Sequence, residues 1–111
     1  MQINSGDMSV DLTEVQTLLG VYVKALRAAA NGATDVLERN DYAYRLAAAD
    51  RMQAAVSAGD LGRLAAELNE QALHAGWTYA GGEHGNAVHY GLLHLNEATL
   101  RARLAGRPPA W

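Results

Sequence analysis

Leu12, Val15, Leu18, Leu19, Tyr22, Leu26 and Ala29 recur at steps of three and four residues. A half-buried strand would alternate every second residue, so this spacing requires an amphipathic helix with one apolar stripe. A single stripe cannot bury itself, and the rest of the chain must supply neighbours for it. The same period returns in three further segments, each bounded by turn residues.

The punctuation is explicit. Asp11 opens the first helix with Glu14 three residues on, a capping-box spacing, and Asn31-Gly32 closes it. Thr34 or Asp35 caps a second helix running to Ala58, with an irregularity predicted at Asn40-Asp41. Gly59-Asp60 turns the chain, and Asp60 caps a third helix striped by Leu61, Leu64, Ala65, Leu68 and Ala72. Gly76 stops it. The segment "AGWTYAGGEHGN" is rich in glycine and reads as an ordered loop. A fourth helix spans residues 86–105 and ends at "GRPP". Links this short favour antiparallel neighbours. The pattern predicts an all-α protein, a four-helix bundle of up-down type with a Gly-rich loop between helices three and four. Residues 1–10 read as a flexible N-terminal arm, 11–106 as one helical domain and 107–111 as a C-terminal tail.

Composition supports this reading and excludes several functions. The apolar half is dominated by Ala and Leu, and Phe is absent. That bias favours helices, since strands prefer β-branched and aromatic residues. The chain of 111 residues is long enough for one core. With no Cys, disulfides, thiolate metal sites and Cys nucleophiles are ruled out. A net charge of −3 provides no electrostatic footprint for nucleic acid. Residues 54–68 place small, turn and apolar residues where a helix-turn-helix has them, but Arg63 is opposed by Glu67 and Glu70, which repel phosphate. "MQINSGDMSV" lacks a basic start and an apolar stretch, and no apolar run reaches membrane-spanning length. These features predict a cytoplasmic protein.

The chemistry-bearing residues cluster between positions 74 and 94. His84, His89 and His94 follow one another at steps of five, which places successive rings about 140° apart on a helix. They cannot share a face, so they do not form a one-helix metal site, which needs spacings of three or four. His84 falls in the Gly-rich loop. His89 lies between two apolar arcs of helix four, Val88/Leu92/Leu95 and Leu93/Leu100/Leu104, and is expected to be partly buried and hydrogen-bonded. Tyr90 and His94 can touch at i,i+4. Trp77, Tyr79, His84, His89 and Tyr90 are the predicted frame of a binding site for a partner protein or small ligand, with no cofactor. A second arrangement brings Glu70 and His74, which share a face of helix three, against His89. Such a cluster suits a divalent transition metal such as Zn, and a metal-assisted or acid/base enzyme is the rival reading.

Helix two carries apolar residues on two flanks, Leu37/Tyr44/Ala48/Met52/Ala55/Val56 and Tyr42/Leu46/Ala49, and helix four has its two arcs. A monomeric bundle needs one stripe per helix, so the surplus predicts a homodimer or larger oligomer. Trp111, at the end of the tail, is placed to reach a neighbouring subunit.

Overall fold

The computed structural model describes the backbone of residues 2–5, 8–73 and 82–106, and side chains from 11–73 and 85–106. Two short strands precede four helices: β1 (Gln2–Ser5), β2 (Met8–Asp11), α1 (Thr13–Gly32), α2 (Val36–Ser57), α3 (Leu61–Leu73) and α4 (Gly82–Ala105). The helices form a ring in which α1 touches α2 and α4, and α3 touches the same two. Each helix runs antiparallel to its ring neighbours. This is the up-down four-helix bundle that the periodicity predicts.

The N-terminal residues differ from the loose arm that their composition suggests. β1 and β2 pair antiparallel, with Ile3 opposite Val10 and Ser5 opposite Met8. The signal was present: two residues, Gly6-Asp7, separate segments with alternating apolar positions, a hairpin pattern. β2 reaches α4.

Two of the three expected caps form; at α1 Leu12 holds the N-cap position without a side-chain bond, and Glu14 bonds Arg101 instead of closing a capping box with Asp11. Asp11 Oδ1 accepts from the Thr13 N–H at 2.9 Å and the Thr13 hydroxyl at 2.6 Å, just ahead of α1. Those bonds to the ionised form hold the Asp11 carboxyl below its usual range. Asp35 Oδ1 accepts the Leu37 N–H at 2.7 Å, and Asp60 Oδ1 the Arg63 N–H at 3.0 Å. After α2 the chain makes a Schellman closure. The Asp60 N–H donates to Ala55 O at 2.8 Å, and the Gly59 N–H to Val56 O at 3.0 Å. Gly59 sits at φ 72°, where a side chain would be strained. Gly32 ends α1 without that conformation; the chain leaves through extended Ala33 instead. α2 is continuous through Asn40-Asp41, where an irregularity was expected.

The core draws one stripe from each helix. α1 contributes Val15, Leu19, Tyr22, Val23, Leu26 and Ala29; α2 contributes Tyr42, Ala48, Ala49, Met52, Ala55 and Val56; α3 contributes Leu64 and Leu68; α4 contributes Val88, Leu92, Leu95, Ala98 and Ala102. Each fully buried Leu or Met stabilises the fold by about 1.5–3 kcal/mol. On α3 the third buried position is Gln71 rather than Ala72, which is exposed. On α2, Leu37 and Tyr44 are exposed, so the flank that runs from Leu37 to Val56 is covered only in its C-terminal part. Arg51 clamps α3 to α2 through two bonds to the Glu67 carboxylate, at 2.8 and 3.2 Å.

Gly91 sets the approach of α4 to α1. It is buried, and a Cβ built there would lie 3.4 Å from the Tyr22 Cα. A methyl group would fit this crossing in ordinary contact with Tyr22, but a larger side chain would push the two helices apart. No described helix is long and apolar enough to cross a membrane.

Candidate functional site

The two apolar arcs of α4 have opposite fates. Val88, Leu92 and Leu95 face the core. Leu93, Leu100 and Leu104 are 42%, 56% and 56% exposed, and Tyr90 is 55% exposed. At about 100° per residue these four point away from the bundle, on the side of α4 opposite its buried stripe. The helix is therefore apolar on two opposite faces, and one of them has no neighbour among the described residues. Scattered exposed apolar residues are ordinary; an aligned row on one helix face is a candidate contact surface.

Polar groups border this row. Tyr90 stands beside both described imidazoles: the His89 ring meets it edge-on at 5.3 Å, and the His94 ring lies tilted at 6.4 Å. The His94 contact is the i,i+4 pair that the spacing predicts. Arg101 bonds Glu14 of α1 across the bundle surface. On the α3 side, Ala65, Asn96, Glu97, Thr99, Leu100 and Arg103 line an open groove of about 170 Å³.

The expected site residues fall out differently. His89 is exposed, not half-buried. It lies on the flank between the two arcs, and it would be enclosed only if both arcs were covered from within the chain. His84 belongs to the first turn of α4 rather than to the loop, because the helix starts at Gly82; its side chain is outside the described residues. Trp77, Tyr79 and His74 also lie outside them, as do residues 74–81, which hold most of the Gly-rich loop, and Trp111. Of the predicted frame, the structure brings together His89 and Tyr90.

Glu70 is turned toward α2. Its Oε1 accepts the Tyr44 hydroxyl at 2.8 Å, and that bond to an anion raises the Tyr44 pKa. Among the described residues no three His, Asp or Glu side chains group to hold a metal ion.

Sequence reading missed a polar layer inside the bundle. Arg45 is 1% exposed and bonds Asp41 Oδ2 at 3.0 Å. The Tyr22 hydroxyl lies in the field of this guanidinium; burial raises its pKa, and the Arg45 charge opposes that rise. Neither the Tyr22 hydroxyl nor the Gln71 amide makes a well-formed hydrogen bond, although both are buried and the Arg45 guanidinium and the Tyr44 hydroxyl lie beside them. The Tyr44–Glu70 bond sets Gln71 near the level of Arg45. The available signal was positional: Arg45 falls on the apolar stripe between Tyr42 and Ala49, and Gln71 continues the Leu64–Leu68 row. A charged or amide side chain on such a row is ordinarily assigned to the surface.

Compared with protein-family models, with curated proteins and with solved structures, the chain matches none of them.

Proposed function

We propose that the chain is a small, non-catalytic interaction module, and that it recognises an amphipathic helix of a protein partner, another copy of itself included, with the outer face of α4. The row Tyr90, Leu93, Leu100, Leu104 carries this reading: four large apolar side chains aligned along one helix and left in solvent. The centre of the surface lies further along α4 than residues 74–94, and His89, Tyr90 and His94 form its N-terminal end. Packing such a row against an amphipathic helix is a recurrent mode of recognition, with anchors at i, i+3 and i+7 positions. The metal-assisted or acid/base alternative built on Glu70, His74 and His89 has less support, because Glu70 is engaged by Tyr44 and His89 faces solvent.

Site-specific photo-crosslinking in cells tests the reading. A benzophenone amino acid at position 100 is expected to give a discrete protein adduct. The same group at exposed Gln53, on α2, is the control and should give none. Equal labelling at the two positions, or none at position 100, would refute α4 as the recognition surface.

A further inference from the structure

Tyr90, Leu93, Glu97, Leu100 and Leu104 follow one another at steps of three, four, three and four. This is the a/d rhythm of a coiled-coil seam, and all five side chains are exposed. The seam covers roughly 21 Å of helix at 1.5 Å per residue. Its centre is not apolar: Glu97 interrupts the row. A charge inside a seam constrains what can cover it, since a carboxylate buried without a counter-charge is strongly destabilising. An uncharged apolar helix would leave Glu97 unpaired, and an anionic lipid surface would repel it. The occupant must bring cations level with the middle of the seam.

A second copy of this chain meets that requirement in one orientation. Arg101 and Arg103 flank Leu100, on either side of the row, in the turn that follows Glu97. Two α4 helices laid parallel and in register stack Glu97 on Glu97. Laid antiparallel about a two-fold axis, they place Leu93 across from Leu104 of the second copy and Glu97 across from Leu100. The Glu97 carboxylate then comes beside Arg103 of the second copy, and beside Arg101, whose guanidinium also bonds Glu14 of its own chain. Two-fold symmetry repeats the contact, so one face supplies both halves of the interface. Arg103 already lines the groove with Glu97 and Leu100, on the side that such a pairing would close.

We infer that the chain forms an antiparallel dimer through α4, with Glu97 of each copy set against Arg101 and Arg103 of the other. This deepens, and rests on, the reading of the outer α4 face as a contact surface. The charged seam residue selects orientation and register, as polar seam residues do in coiled coils.

Sedimentation velocity of the full chain tests the pairing, with circular dichroism confirming that each variant is folded. The wild type is expected to sediment as a dimer at high micromolar concentration. Leu93→Glu combined with Leu100→Glu should sediment as a folded monomer. Glu97→Arg should weaken association by roughly tenfold, and so should Arg101→Glu with Arg103→Glu, while a mixture of the two variants should recover it as a heterodimer. Because the chain has no cysteine, orientation can be read from disulfides. A mixture of Leu93→Cys and Leu104→Cys should give the mixed disulfide in preference to either symmetric one.

A monomeric wild type overturns the dimer. If position 100 still crosslinks to another protein in cells, the contact-surface reading survives and only self-pairing falls. A symmetric disulfide at position 93 overturns the antiparallel arrangement. A Leu93→Glu/Leu100→Glu variant that remains dimeric moves the interface off this face, and absence of heterodimer recovery overturns the Glu97–arginine pairing.

Discussion

Replacing Gln71 with Met should stabilise the protein. The Gln71 side chain is fully buried on α3, and neither its Oε1 nor its Nε2 makes a well-formed hydrogen bond, the Tyr44 hydroxyl being the polar group beside it. Leaving an amide buried and unbonded costs about 1–3 kcal/mol on mutational scales. Met has nearly the same length and volume, fills the same space and carries neither polar group, so no cavity term opposes the gain. The expected increase is about 2 kcal/mol. For a domain of this size each kcal/mol moves Tm by about 4–8 °C, giving a rise of roughly 10 °C. Urea unfolding followed by circular dichroism should show a higher midpoint with an unchanged slope, which isolates stability from changes in the unfolded state. Gln71→Ala is the control. It removes the same polar atoms but leaves a void, so it should gain less than Met or lose stability. If Gln71→Met lowers stability, the amide is bonded in the folded protein and the argument from orphaned atoms fails.

Two further substitutions test the contact between α1 and α4 and the polar layer beside it. Gly91→Ala should raise stability by up to about 1 kcal/mol, from helix propensity, because its Cβ would make an ordinary 3.4 Å contact with Tyr22. Gly91→Leu should lower stability by about 1–3 kcal/mol through overpacking. Thermal melts of both variants check this, and a destabilised Ala variant would show a tighter crossing than the structure has. Tyr22→Phe should be neutral or stabilising near pH 7, since the hydroxyl it removes makes no well-formed hydrogen bond. Burial raises the folded-state pKa of Tyr22, so its contribution is intact below the unfolded value near 10 and is lost as pH rises through the folded value. Stability measured between pH 9 and about 11 should therefore fall less steeply in the Phe variant than in the wild type. Equal slopes would refute the assignment.

Local signals in the chain carried most of the architecture. Asp35 and Asp60 bond the first-turn amides that their positions suggest. Gly59 adopts the one positive φ found among the described residues. These features depend on a few neighbouring residues and are legible without knowing the fold. The N-terminal hairpin was equally local, but its polar composition obscured a short alternating pattern.

The candidate surface was only half legible. The sequence showed both apolar arcs of α4 and predicted that one would need company, but it placed His89 in shelter between them. Periodicity states the direction in which a side chain leaves its helix; it does not say whether anything stands there. That is decided by how many helices exist and in what order they close the ring. The bundle covers Val88, Leu92 and Leu95, and among the described residues no further helix lies over Leu93, Leu100 and Leu104. The same limit hid Arg45 and Gln71, whose chemistry assigns them to water until three neighbouring helices enclose them. Helix length, turn position and capping are thus properties of the amino-acid order, because each is settled over a few residues. Which stripe becomes core, which remains a surface and which polar groups lose water are properties of the assembled bundle, because burial is a relation between segments distant in the chain.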